Sequence, residues 1–276
     1  MIAKHLAIGL VVPVLLLMSC CQECPQVTTQ KPNFRPHSQL VLQAVVKATN
    51  IQTGNCGTAT CIYKETTKDG VLVLYFLTAD HITRQKDVVD LGLVKVGKYR
   101  HIRNVEMKLC CWQYDRSDRR TGHEDYKCQG WLRFEQNDLA ILKLSVKKPT
   151  KLLLNMPTIE LATVKEFDNI RVGEETFCIG CPYGLPPVYL SGNVARFNCR
   201  HQDSHIGKYI DTILITMDLV GGVSGAGVYD KKTGKLIGLA VITWDPGYFV
   251  AGVIPVTSII KELKQVELGK KILGGT

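Results

Sequence analysis

Long apolar runs are scarce in this chain of 276 residues: the one extended example, Leu6 to Met18, is thirteen residues long. A spanning helix needs about 20, so a multi-span membrane protein is excluded. There is no glycine repeat, which excludes collagen, and neither the apolar poverty nor the charge imbalance of a disordered chain. Internal repeats and low-complexity tracts are also missing. No segment has the spacing of a zinc finger, an RNA-binding motif or a P-loop, and Thr233-Gly234-Lys235 reads as a hairpin turn.

What remains is globular composition, 45% hydrophobic and 21% charged, with 34 basic against 25 acidic residues and a formal charge of +9. A chain of this length buries the core of one large domain or two small lobes, not of a string of modules. The positive charge is spread out. Knots such as Arg116, Arg119 and Arg120, or Lys147, Lys148 and Lys151, read as solvated faces, and no nucleic-acid partner is expected. Eleven cysteines are the unusual feature, and their number is odd.

Lys4 and His5 precede the apolar run, which closes on Leu17-Met18-Ser19-Cys20. A charged start, a short apolar stretch and a small residue before a break describe a secretory signal over residues 1–19. The ending resembles the bacterial lipobox, and that resemblance implies lipidation of Cys20, membrane attachment and a periplasmic or cell-surface location. Plain signal cleavage and an uncleaved apolar anchor are the alternatives. With Cys20 lipidated, ten cysteines remain for an oxidising compartment. Residues 20–38, with Pro25, Pro32 and Pro36, read as an extended tether.

From Leu40 onward, short runs rich in Val, Ile, Leu and Thr are punctuated by Gly, Pro, Asn and Asp, which predicts strands. One set falls near 40–49, 57–64, 71–79, 91–97, 102–113, 126–134 and 138–145. A second falls near 158–163, 174–181, 188–199, 209–217, 225–229, 235–243 and 248–254. Two comparable sets point to an all-β architecture of two antiparallel barrels or sandwiches. They divide near residue 150, with Lys147 to Thr150 as the crossover. Val256, Ile259, Ile260, Leu263 and Val266 repeat at helical spacing, which predicts a C-terminal helix over 256–267 and a tail over 268–276.

The strongest local feature is Gly221-Gly222-Val223-Ser224-Gly225-Ala226-Gly227. Glycines permit a tight turn that exposes a hydroxyl and aims backbone N–H groups at one point, as oxyanion stabilisation requires. A nucleophilic serine needs a base, and all seven histidines precede Ser224. An α/β-hydrolase places its histidine last, so an active enzyme of that fold is excluded. His81 ends the run Leu74 to Asp80, where a buried strand meets the surface, a rigid yet accessible place for a base. Asp138 opens the apolar run Leu139 to Leu144 and is the candidate for the carboxylate that orients the imidazole.

Taken together, Thr78-Ala79-Asp80-His81, Asn137-Asp138-Leu139-Ala140-Ile141-Leu142 and Gly222-Val223-Ser224-Gly225-Ala226-Gly227 resemble the three catalytic blocks of trypsin-like serine proteases, in family order. Gly54 to Ile62, Ile179 to Leu185, Ser191 to Val194 and Lys235 to Leu239 are similar to the HtrA-type bacterial branch, although no PDZ domain follows. The resemblance implies two antiparallel six-stranded barrels, with His81 and Asp138 from the first and Ser224 from the second. It implies hydrolysis of polypeptides through an acyl-enzyme, with the N–H groups of Gly222 and Ser224 as the oxyanion hole and no cofactor. Asp218, Thr243 and Gly252 become the substrate-binding residues, and Asp218 would favour Lys or Arg at the cleaved residue. Val223 stands where trypsin-type zymogens carry an aspartate, so activation through a new N-terminus is not expected. Ile82 replaces a cysteine, which leaves Cys56 without that partner.

Cys178 with Cys181, and the group Cys110, Cys111, His123 and Cys128, have metal-like spacing. No metal is expected at either. Disulfides joining Cys128 to Cys110 or Cys111, or Cys181 to Cys199, are simpler readings that sequence cannot decide. Two rival functions stand beside the protease: a trypsin-fold scaffold without turnover, and a basic adhesion or nucleic-acid-binding lipoprotein that explains none of the three blocks.

Overall fold

The computed structural model describes residues 35–84, 105–115, 117–202, 209–245 and 249–274. The expected signal, Cys20, the tether as far as residue 34 and the expected strand over 91–97 lie outside the described residues.

Two closed antiparallel barrels make up most of the described residues. The first joins β1 (Val45–Asn50), β2 (Cys56–Thr66), β3 (Leu72–Ala79), β4 (Glu106–Tyr114), β5 (Arg120–Phe134) and β6 (Leu139–Val146) in the order β1-β2-β3-β6-β5-β4. The second joins β7 (Glu175–Gly180), β8 (Val188–Gln202), β9 (Tyr209–Ile215), β10 (Gly227–Asp230), β11 (Leu236–Asp245) and β12 (Val250–Pro255) in the order β10-β11-β12-β9-β8-β7. Read from β7, this is the connectivity of the first barrel, so the architecture repeats where the sequence does not. Closure leaves no strand edge exposed to recruit another chain. All eight residues of β3 are buried, which is why Leu72 to Ala79 reads as an unbroken apolar run rather than an alternation.

Several expectations are corrected. The stretch ending the expected tether and opening the first expected strand is a helix, α1 (Arg35–Ala44), because Val41 and Ala44 are buried at helical spacing while Leu40 faces solvent. Residues 158–163 form no strand beyond a bridge from Leu161 to Leu236. They stitch the barrels instead: the Ile159 N–H donates to the Cys61 carbonyl at 2.9 Å, and the Ala162 N–H to the Leu236 carbonyl at 2.9 Å. The strand expected over 126–134 starts earlier, since β5 begins at Arg120 and pairs along β4. Short helices α2 (Asp80–Thr83), α3 (Lys151–Asn155) and α4 (Val164–Asp168) occupy connections. The C-terminal helix is split into α5 (Val256–Leu263) and α6 (Glu267–Ile272), so part of the expected tail is helical. The break lets Gly269 lie directly on the Leu263 carbonyl, where a side chain would collide.

The eight described cysteines are free thiols, and register explains why the expected disulfides are not formed. Cys128 lies opposite Met107, three places from Cys110 and four from Cys111. Cys199 pairs toward Thr212 of β9, far along β8 from the turn that holds Cys181. Burial pushes Cys61, Cys128 and Cys181 up to about 12, which keeps these thiols protonated and inert.

The barrels also share a buried polar contact, Tyr229 hydroxyl to Thr60 hydroxyl at 3.2 Å, beside the stacked rings of Tyr229 and Phe177. Replacing Tyr229 with Phe orphans the Thr60 hydroxyl and is expected to cost about 1–2 kcal/mol. Adding Thr60→Val should recover most of that loss, because both polar groups then leave together. Urea unfolding of the single and double variants checks this, and a double variant as weak as the sum of the singles contradicts it.

Candidate active site

His81 and Asp138 meet because the strands that carry them are neighbours. β3 and β6 pair in unbroken register down to Ala79 opposite Leu139. The next residues continue the contact, with the Asp80 N–H donating to the Asp138 carbonyl at 2.9 Å. Asp138 adopts a left-handed backbone, φ 48°, which turns its carboxylate back toward α2. One oxygen accepts from the His81 backbone N–H at 2.8 Å, and the other lies 2.7 Å from His81 Nδ1. An ionised carboxylate only accepts, so the imidazole proton sits on Nδ1 and Nε2 is left with its lone pair. His81 is 30% exposed and Asp138 4%, an accessible ring held by a shielded acid.

Behind Asp138 lies a charge network that the sequence did not reveal. The Arg84 guanidinium donates to Asp138 at 3.2 Å and to Asp80 at 3.0 Å, while Arg133 donates to both oxygens of Asp80 at 2.5 and 3.0 Å. Burial works to raise the Asp80 carboxyl, but the ion pairs and hydrogen bonds from Arg133 and Arg84 outweigh it and hold the group below its ordinary value. Two acids and two guanidiniums gather at the end of β3, and Asp80 itself is fully buried.

Ser224 stands on the turn between β9 and β10. Gly222 and Gly225 have φ of 91° and 84°, values that only glycine adopts freely, and a Cβ on Gly225 would strike the Thr58 carbonyl. Thr58 of β2 fastens this turn to the first barrel. Its N–H donates to the Ser224 carbonyl at 2.9 Å, and its hydroxyl donates to the Gly222 carbonyl and accepts from the Cys181 N–H, both at 2.9 Å. Gly57, one residue earlier, touches both sides of the site: a Cβ there would collide with Ile82 and lie 2.8 Å from the Ser224 carbonyl. Ser224 is thus docked against the strand that also backs the residue after His81. Among the described residues the N–H groups of Gly222 and Ser224 donate in no backbone–backbone hydrogen bond.

Val223 and Ala226 are fully buried. Gly180 makes the room, since a Cβ on it would lie 2.8 Å from Val223 and 3.2 Å from Ala226. The alanine in the serine motif is therefore accommodated rather than distorting. Tyr183 is a further residue at the site that sequence analysis passed over. Its N–H donates to the Gly221 carbonyl at 2.6 Å, and its ring is 73% exposed beside the turn. Only its place in the Ile179 to Leu185 block could have drawn attention to it.

The expected substrate-binding residues fare differently. Gly252 is buried in β12, between Ile242 of β11 and Leu214 of β9, and Thr243 lies on β11 opposite Ala251. Asp218 is solvent-exposed, flanked by buried Met217 and Leu219.

The family model of the trypsin-like peptidase domain matches residues 57–239, well over half of the chain. The chain belongs to the trypsin-like peptidase family. Compared by sequence with curated proteins, this peptidase-family chain matches none. Among solved structures it is similar to the HtrA-type protease AlgW with tripeptide, at 21% identity and a TM-score of 0.59, covering 85% of this chain and 63% of AlgW. It therefore spans less than two thirds of that relative. Deg5 matches at 20% identity and a TM-score of 0.55, over 82% of this chain and 89% of its own. Rv3671c from M. tuberculosis H37Rv, in an inactive form, matches at 14% identity and a TM-score of 0.56, over 84% and 90%. At these identities the likeness is one of fold.

Two substitutions test this construction. Thr58→Val keeps the shape but strips the Gly222 carbonyl and Cys181 N–H of their partner, and unfolding measurements should find a loss of about 1–3 kcal/mol. Asp80→Asn takes the opposite charge from the buried Arg133 guanidinium and one of the carboxylates from Arg84, and should cost about 3–5 kcal/mol at neutral pH. A carboxyl held below its ordinary value of 3.8 contributes stability that is complete above that pH and lost as pH falls through the lower folded value. The wild-type protein should lose stability on that acid side more steeply than Asp80→Asn, and parallel pH profiles of the urea midpoint would refute the depressed carboxyl.

Proposed function

We propose that this chain is a serine endopeptidase. The observation that carries the reading is the 2.7 Å contact between His81 Nδ1 and Asp138, on the same strand wall to which Thr58 docks the Ser224 turn. In the proposed reaction a peptide enters the cleft between the barrels and His81 Nε2 removes the Ser224 proton as Oγ attacks the scissile carbonyl. The N–H groups of Gly222 and Ser224 are proposed to hold the resulting oxyanion. His81 returns the proton to the leaving amine. Water, deprotonated by the same imidazole, then hydrolyses the acyl-enzyme, and Asp138 stabilises the imidazolium in both halves. The exposed Tyr183 ring and the glycines beside it offer a polypeptide a contact wall next to the turn.

Polypeptides are the proposed substrates. A lipid on Cys20, or the apolar segment from Leu6 to Met18, is proposed to attach the protein to a membrane after export. The alternative is a binding scaffold of the same fold without turnover, and the two readings separate by experiment.

A fluorophosphonate probe should label the folded protein. Ser224→Ala should abolish labelling, and Asp138→Asn should lower kcat about 10⁴-fold. A folded wild type that neither labels nor cleaves a broad peptide library would leave the scaffold reading standing. Intact-mass analysis of exported protein tests the anchor, with a diacyl mass increment at Cys20 expected and an unmodified N-terminus beyond it contradicting it.

A further inference from the structure

The β4–β5 hairpin presents two faces of opposite character. Met107, Leu109 and Cys111 of β4 enter the core together with Cys128 of β5. Strand alternation therefore sends Lys108, Cys110, Trp112 and Tyr114, with His123, Asp125 and Lys127, to the outer face. The cysteines that looked like one ligand group are divided between the inside and outside of the barrel, and Cys111 and Cys128 cannot reach the side of His123.

Cys110 is matched instead by a residue that spacing did not single out. It lies directly opposite Asp125, and His123 follows two residues away on the same face. Cys110 Sγ, a His123 ring nitrogen and an Asp125 oxygen all lie within 4.8 Å of one another. The thiol is buried, whereas the other two side chains are exposed. Trp112, opposite His123, packs its ring 5.3 Å from the imidazole, and the Arg120 guanidinium covers the Trp112 ring at 5.3 Å. The indole thus backs the imidazole from one side.

We propose that Cys110, His123 and Asp125 form a zinc(II) site on the outer face of the β4–β5 hairpin, with water completing a tetrahedron. A thiolate and an imidazole select a borderline-soft ion over magnesium or calcium. Three protein ligands on an open face leave the fourth position to solvent. Bonds of about 2.0–2.3 Å place tetrahedral ligands roughly 3.5 Å apart, so the cluster contracts by about an ångström. His123 and Asp125 are exposed and can supply that movement while Cys110 stays fixed in the sheet. The ion replaces the thiol proton, which leaves to solvent, and displaces Lys108 from Asp125. That ammonium is 3.3 Å from the carboxylate in a pair about half exposed, the kind that contributes little. Bound zinc would cross-link two strands of the first barrel and stabilise the folded state by mass action. The site shares no residue with His81, Asp138 or Ser224, so it stands or falls apart from the peptidase reading.

The test is cobalt(II) titration of the full chain, prepared metal-free and reduced. One equivalent should give a near-ultraviolet thiolate-to-cobalt charge-transfer band with strong visible bands of a four-coordinate ion, and one equivalent of zinc should erase both. Cys110→Ser should remove the charge-transfer band, His123→Ala and Asp125→Asn should each weaken binding at least about tenfold, and Cys199→Ser should change nothing. Zinc should raise the melting temperature of the wild type but not of Cys110→Ser. Because Cys110 is buried and its variant could fold poorly, zinc X-ray absorption on the wild type supplies a second reading: one sulfur and three nitrogen or oxygen neighbours. No sulfur, or two, overturns the proposal, as does a charge-transfer band that survives Cys110→Ser or binding that ignores both His123 and Asp125.

Discussion

The hydroxyl and backbone of Thr58 are the constraint on which the rest of the site depends. Two barrels packed through apolar surface alone can settle in many neighbouring arrangements, because the hydrophobic effect is non-directional. Hydrogen bonds are directional, and Thr58 makes them to Ser224, Gly222 and Cys181 of the second barrel while its own carbonyl accepts from Thr78 at 2.7 Å within the first. Thr78 lies three residues before His81. A single threonine therefore ties the serine turn, the start of the Cys181 to Leu185 turn and the strand that ends in the histidine to one point. Gly57 and Gly225 complete the arrangement by removing the side chains that would hold these backbones apart.

The second organising element is electrical. Asp138 is nearly enclosed, and an enclosed carboxylate needs compensation. Arg84 supplies it, Asp80 pairs with Arg84 and Arg133 with Asp80, so the acid that faces His81 rests on a chain of buried charges. The imidazole meets a carboxylate whose orientation is determined from behind as well as from the histidine side.

Much of this was legible in the sequence, for identifiable reasons. β3 and β6 are long apolar runs with polar ends, and His81 and Asp138 sit at those ends, so pattern and chemistry pointed to the same place. The glycine-rich serine turn announced itself through residue types that only unusual backbone angles require. What was not legible depends on register and parity. Whether Cys110 or Cys111 faces outward is a one-residue question that spacing cannot answer. Arg84 and Arg133 are basic residues like many others until the fold brings them to Asp80. The helix Arg35–Ala44 was misread because its apolar residues fit a short strand as well as a helix.

Gly180 and Ala226 carry a consequence for how such a chain can change over time. A Cβ at position 180 would meet Val223 first, at 2.8 Å, and Ala226 second, at 3.2 Å. Trimming Ala226 alone leaves the closer contact in place, so a side chain at 180 is accommodated only by a chain whose residues on both sides of Ser224 give way. The order of substitutions then matters, since a smaller residue at 223 has to precede a larger one at 180. The serine turn and β7 are thereby bound into one evolutionary unit, although they lie more than forty residues apart in the chain.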